Sequence, residues 1–383
     1  MIGIQARARG AGEPLGSRHA TPLIDERFWE FHFVKMHVQT FLVTHVFRET
    51  RRDPILFTPF RSLFSPKMPT LPLLVGGAAV AAGLLLYSRR TRVPKTVVIT
   101  GGCGNLGIKL ATHLLGLGYQ VILLEHPKYI FLERVPKGAT VVPADLELVG
   151  AWTHVLRGAD TLVHFSAVNP YPNANWAESA GSMSHSFNVF LAAAQMGVRR
   201  VLFASSNHVM GGYKDLADVK TVSPRSPPMV GTLLRDLSDR AKSGDAVAYA
   251  AAKLAGEQLA RALAATTGGA TTFIALRIGW CQPGDNLPST LNPAGTPPQF
   301  QNAVSGGGSA PAASDQAVDE NWFKNMWLSN GDFLRCFTAA IGARVPPGEL
   351  LLLNAMSNNS GMKWSIAETE AALGVQVQDN SRA

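Results

Sequence analysis

Residues 96–107 read TVVITGGCGNLG, and the order of that stretch decides the fold. Five β-branched residues, Thr96 to Thr100, suit a strand buried on both faces of a parallel sheet. Glycines at 101, 102, 104 and 107 follow at once, and residues 108–117 then carry apolar side chains at helical spacing. Strand, glycine turn and helix in that order are the setting in which a glycine fingerprint is informative. Gly101 permits the tight turn, Gly104 lets a pyrophosphate approach the backbone, and Gly107 lets the helix pack close to the strand. The helix N-terminus adds free N–H groups and its dipole. Gly101, Gly104, Asn105, Leu106 and Gly107 are therefore read as contacts of a dinucleotide cofactor.

Working outward, residues 120–124 form a second strand that ends at Glu125, about twenty residues after the glycines. A carboxylate there accepts hydrogen bonds from a ribose and repels a 2′-phosphate, which favours NAD over NADP. The plainer alternative is a solvated acid at a strand end, and Lys128 nearby leaves room for NADP. Residues 141–143 lead to Asp145 and Leu146, placed to touch the adenine. Residues 161–165 make a fourth strand ending in Ser166, Ala167, Val168 and Asn169, and Ser166 is counted with the cofactor contacts. Residues 184–194 are helical and 201–204 make a fifth strand. This alternation predicts an α/β fold, a doubly wound parallel sheet of the Rossmann type.

After the fifth strand the chain reads SSNHVMGGY, residues 205–213, and farther on YAAAK, residues 249–253, opens an Ala- and Leu-rich helix. Tyr249 and Lys253 are four apart and share a helical face, so the ammonium can sit near the phenol. A nearby cation lowers a phenol pKa from about 10 toward the working range of a proton-transfer group. Ser206, at a strand end facing the same cleft, is placed to hydrogen-bond the same oxygen. A lone Tyr-x-x-x-Lys is weak evidence, but behind a glycine turn and a serine pair it is strong.

The segments TGGCGNLG, HFSAVNP, SSNHVMG, YAAAK and LRIGWCQPGDN together resemble the extended short-chain dehydrogenase/reductase superfamily, in its NAD-dependent epimerase/dehydratase branch. Within that branch they are most similar to uronate dehydrogenases, over residues 96 to about 380 apart from one insertion. The resemblance implies Ser206, Tyr249 and Lys253 as the catalytic set, Tyr249 and Lys253 counting also among the cofactor contacts, with Asn169, Asn207, His208 and Trp280 on the substrate side. On its own chemistry, His208 reads as a satisfied structural histidine. Two departures stand out. Trp280 occupies a position where uronate dehydrogenases have a small hydroxyl residue, and Asn169 one where they have a serine. An indole removes a hydrogen bond and fills volume, and such a swap changes discrimination by orders of magnitude. The dehydrogenase chemistry is thus better supported than a uronate substrate.

Charge and composition describe the rest. Up to Lys95 there are 14 Lys and Arg against 6 Asp and Glu; the remainder of the chain's 35 and 27 is 21 of each. A nucleic-acid-binding domain concentrates positive charge on itself, and this one does not. Three widely spaced cysteines read as reduced thiols without metal-ligand spacing. Residues 1–67 form a leader without sustained period, and translation starting at Met68 is an equal alternative. Residues 71–87 (LPLLVGGAAVAAGLLLY) carry no charge and lie near the lower limit for spanning a hydrocarbon core. Arg89, Arg90, Arg92 and Lys95 follow, so 68–95 is expected to be an apolar anchor helix with a basic flank that leaves the catalytic domain facing the cytosol. An organellar presequence and a soluble cytoplasmic protein are the alternatives.

Residues 96–283 are then the NAD-binding domain. Residues 284–320 are a low-complexity insertion rich in Gly, Ala, Pro and Ser, and 321–383 a small C-terminal substrate-proximal part. The expected activity is NAD-dependent oxidation of a hydroxyl on a sugar-like small molecule, with no metal. The alternatives are a nucleotide-sugar epimerase/dehydratase, a membrane-tethered steroid dehydrogenase-like enzyme, or a cofactor-binding scaffold without turnover. The resemblance also carries the expectation of a homodimer.

Overall fold

The computed structural model describes residues 95–168, 174–216, 218–231, 240–291 and 324–383. The leader, the apolar run 71–87 and most of the 284–320 insertion lie outside these residues. Among the described residues no helix is long and apolar enough to cross a membrane.

Seven parallel strands make one sheet in the order β3-β2-β1-β4-β5-β6-β7. They are β1 (Thr96–Thr100), β2 (Gln120–Glu125), β3 (Thr140–Pro143), β4 (Thr161–His164), β5 (Arg200–Ser206), β6 (Thr272–Ile278) and β7 (Leu350–Ala355). Five helices of the described chain accompany them: α1 (Asn105–Gly116), α2 (Trp176–Gln195), α3 (Arg240–Thr266), α4 (Asn330–Gly342) and α5 (Ala367–Leu373). The strand order reverses between β1 and β4, and this switch point is where open parallel sheets hold their ligands.

Alternate side chains of a strand point to opposite faces, and β1 shows the consequence. Val97 and Ile99 pack into a core with Leu110 and Leu114 of α1 and Phe333 and Phe337 of α4. Val98 packs on the other face with Phe190 of α2 and Ala260 and Ala264 of α3. Both faces are covered, which is why these strands read as nearly unbroken apolar runs. A smaller third cluster, with Val209, Met210, Met326, Met356 and Trp364, lies apart from both and holds residues of the C-terminal part.

The doubly wound parallel sheet is thus as expected, with differences at element ends. Helix α2 starts at Trp176, eight residues before the apolar period becomes visible. A reciprocal cap starts it: Asn175 Oδ1 accepts from the Glu178 amide, and Glu178 Oε2 accepts from that of Asn175, both at 2.9 Å. Strand β6 was not singled out in the sequence, because TFIALRI between two glycine-punctuated segments lacks an amphipathic period. Helix α1 starts three residues early, since Asn105–Gly107 belong both to the glycine turn and to the first helical turn.

Beyond β6, Gly279 brings the chain against Met326. The Trp280 amide donates to Met326 O (2.9 Å) and the Leu328 amide to Trp280 O (2.7 Å). A Cβ at Gly279 would fall 1.8 Å from Met326 O, an impossible approach to a backbone atom. Gly279→Ala should therefore separate these strands and cost about 1–3 kcal/mol, measured as a lowered midpoint in urea unfolding. An unchanged midpoint would show that this contact does not form.

Candidate active site

Site construction starts at the end of β5. Three consecutive residues there each meet one residue of α3, and the three helical partners are spaced by four. Ala204 O accepts from Lys253 Nζ at 2.9 Å, Ser205 Oγ donates to Glu257 Oε1 at 2.6 Å, and the Ser206 side chain is hydrogen-bonded to Tyr249. Ser206 Oγ also accepts from the His208 amide at 3.1 Å, which leaves its own proton to be given to the phenol oxygen. Ser206, Tyr249 and Lys253, all proposed as catalytic from sequence, are therefore together and buried.

Their electrostatics differ from the sequence expectation. Burial pushes the Tyr249 phenol up to about 12, and the Ser206 hydrogen bond only partly opposes it. Burial likewise pulls the Lys253 ammonium down to about 8. The ammonium lies over the ring faces of Phe203 (5.2 Å) and Tyr249 (5.8 Å) and bonds to a carbonyl. It therefore does not bring the phenol below its ordinary value, because desolvation is the larger effect.

The cofactor side is built on the glycine turn. Gly101 takes φ +63°, and a Cβ on Gly107 would lie 2.5 Å from Gly101 O and from Gly102 O. Helix α1 starts without a side-chain cap and without an acid in its first turn, which leaves the positive end of its dipole uncapped by its own residues. Asn105 sends its side chain elsewhere, to Cys281 O at 2.9 Å, tying this turn to the segment after β6. Leu106 packs against the core. Glu125 is buried and accepts from the Cys103 amide (3.0 Å) and the His126 amide (2.9 Å). Burial raises its carboxyl, and the two amides act against that. Asp145 accepts from the Glu147 amide at 3.0 Å, while Leu146 is buried. Asn188 donates to Leu146 O and Glu147 O, holding this loop from α2. Ser166 Oγ pairs with His185 Nδ1 at 3.1 Å.

On the substrate side, Asn207 Nδ2 donates to Ile278 O at 2.9 Å, which fixes the amide. Its Oδ1 is buried and has no partner among the described residues. The His208 ring stands edge-on to both Tyr249 and Trp280, each at 5.8 Å between centroids. Asn169 lies outside the described residues.

Sequence reasoning missed a buried imidazole beneath this site. His164 Nδ1 meets Thr100 Oγ1 at 2.7 Å and its Nε2 meets Ser186 Oγ at 3.1 Å. Complete burial, with the charge of Lys253 nearby, holds its pKa well below the ordinary value, so the ring is neutral. The motif containing His164 was visible, but nothing in one sequence shows that two hydroxyls from β1 and α2 converge on it.

A parallel doubly wound sheet with a glycine turn at its switch point is a nucleotide-binding fold, and Ser206, Tyr249 and Lys253 lie together, buried, at the end of β5. A family model for the NAD dependent epimerase/dehydratase family matches residues 97–279, and the chain carries a domain of that family. NAD is accordingly the cofactor, and the uncapped helix and buried carboxylate suit it. The chain is 26% identical to the L-arabinose 1-dehydrogenase (NAD(P)(+)) of Haloferax volcanii, over 74% of this chain and 97% of that protein. It is 31% identical to the uronate dehydrogenase of Pseudomonas syringae pv. tomato over 34% of this chain, spanning about half (46%) of that relative. A solved mutated uronate dehydrogenase superposes with a TM-score of 0.53 at 21% identity, covering 76% of this chain and 84% of that one, which speaks for the fold.

Replacing Glu125 by Ala removes the acceptor of the Cys103 amide in the glycine turn and of the neighbouring His126 amide, and with it the carboxylate expected from the sequence to meet the ribose. NAD affinity should fall about tenfold or more, with NADP much less affected, in a fluorescence titration of each nucleotide. Equal losses for both would refute the ribose assignment.

Proposed function

We propose that this chain is an NAD-dependent dehydrogenase that oxidises a hydroxyl-bearing carbon of a sugar-like substrate. The observation that carries the reading is the buried Ser206–Tyr249 hydrogen bond with Lys253 one helical turn behind. Bound NAD supplies the hydride acceptor. Tyr249 as phenolate takes the proton of the substrate hydroxyl, and Ser206 orients that oxygen. Lys253 supports the phenolate and the nicotinamide ribose. A lactol would leave as a lactone.

The substrate class is supported by Asn207. Its amide nitrogen is committed to Ile278 O, so the group offers an acceptor oxygen toward any ligand beside it. A buried acceptor favours a hydroxyl donor and repels a carboxylate. With Trp280 as an apolar wall, this supports a neutral, hydroxyl-bearing substrate over a uronate. The named activity of the Haloferax volcanii relative agrees with that choice.

NADH formation should be assayed over aldoses, uronates, nucleotide sugars and sterols. Tyr249→Phe should lower kcat about 10²- to 10⁴-fold while leaving NAD binding intact; turnover unaffected by this change would end the mechanism. Because the phenol is held up near 12 and must be ionised to accept a proton, kcat/KM for oxidation should climb steadily as pH rises from neutral. A profile flat through the alkaline range would contradict Tyr249 as the base.

The uncharged run 71–87 and its basic flank support a tether that leaves the catalytic domain in the cytosol. The full-length chain should stay with membranes through an alkaline carbonate wash; its release would overturn the tether.

A further inference from the structure

Helix α3 carries a third side chain on the face that bears Tyr249 and Lys253. Glu257 lies four residues beyond Lys253 and is 1% exposed. Its Oε1 accepts from Ser205 Oγ (2.6 Å) and from Arg277 Nε (2.8 Å), and its Oε2 accepts from Arg277 Nη2 at 2.7 Å. Arg277 is equally buried, and its Nη1 reaches Met210 Sδ at 3.0 Å and Pro224 O at 3.4 Å. The single carboxylate thus joins three segments. Ser205 immediately precedes Ser206, Arg277 immediately precedes Ile278 whose carbonyl fixes Asn207, and the helix brings Tyr249.

We propose that Glu257 is a positioning residue, whose carboxylate sets the rotation and axial height of α3 against the ends of β5 and β6 so that the Tyr249 phenol meets Ser206. Its effect on turnover rests on the dehydrogenase reading above; its effect on geometry does not. Stability alone is a poor account of the arrangement, because buried ion pairs are commonly replaced by apolar residues without loss. Apolar packing tolerates a slide along the helix axis, whereas a carboxylate held by three directional donors from two strands does not. Reacting groups misplaced by about 1 Å lose about a hundredfold in rate, so this register is where a remote residue can act.

The test uses the full chain labelled with carbon-13 at the tyrosine ζ carbon. Of six tyrosine signals, that of Tyr249 is the one absent from Tyr249→Phe. Ser205→Ala removes one small hydroxyl and is expected to fold with unchanged NAD affinity. It should move the Tyr249 signal and its ionisation midpoint, and lower kcat about 3- to 10-fold with little change in KM. Glu257→Gln should move the signal farther and lower kcat about 10- to 100-fold. A Tyr249 signal, midpoint and kcat in Ser205→Ala and in folded Glu257→Gln like those of the unaltered protein would overturn the proposal. Where Glu257→Gln fails to fold, Ser205→Ala decides alone. If the unaltered protein oxidises nothing, the dehydrogenase reading fails, while the position of the Tyr249 signal still decides the role of Glu257.

Discussion

The site depends on one register, that of helix α3 against the last three residues of β5. Ala204, Ser205 and Ser206 are each tied to a residue of the helix, and those residues repeat every four positions. A strand advances about 3.3 Å per residue and a helix about 6 Å in four residues. The ties run 204–253, 205–257 and 206–249, an order that differs between strand and helix, so the helix does not lie in step along the strand. Gly256 permits the close approach: a Cβ there would lie 2.7 Å from the Phe203 ring.

The same closeness explains the electrostatics. Phe190 and Phe203 make an apolar bed at His164, and Lys253 sits over the Phe203 ring. Such a setting penalises every charge, so the phenol rises, the ammonium falls and the imidazole stays neutral. Buried charge with directional partners is paired, and Glu257 with Arg277, Nη2 to Oε2 at 2.7 Å, is the clearest case. On the mechanism proposed above, a proton-accepting phenolate in this setting has to be stabilised by what binds beside it, together with Ser206. This is an arrangement poised by desolvation, which the Tyr-x-x-x-Lys spacing does not disclose.

What could be read from the sequence follows from how local each signal is. The stretch 96–107 declares strand, turn and helix within twelve residues, and β1 and the glycine turn lie there as read, with α1 starting inside the turn, three residues earlier than its apolar spacing indicated. Tyr249 and Lys253 are joined by helical geometry alone, so their proximity was also legible. Strand β6 was not, because a strand buried on both faces has no alternation to display. The early start of α2 was hidden by its serine- and glycine-bearing first turns, although the Asn175 and Glu178 cap is present in the sequence. The partners of His164, Asn188 and Glu257 come from elements 20 to 64 residues away, and only the sheet order brings them together. The direction of the Tyr249 shift was misjudged for the same reason. Burial is a property of the assembled fold, and the charge of Lys253 was weighed without it.

The segment that departs from the uronate dehydrogenase pattern at Trp280 is held from both sides. Gly279 and the Trp280–Met326 and Trp280–Leu328 bonds pin the indole backbone to a segment from the far side of the 284–320 insertion. Trp327 Nε1 and Leu328 O are in turn held by Asn286, at the start of that insertion. The ends of the insertion are therefore fastened to each other, and its length can vary without moving Trp280. The indole stands edge-on to His208, whose ring stands edge-on to Tyr249 in turn. Under the substrate reading proposed above, the indole acts by shape and the Asn207 acceptor oxygen by repelling a carboxylate. Shape and polarity thus act in the same direction, toward a compact ligand that offers hydroxyl protons.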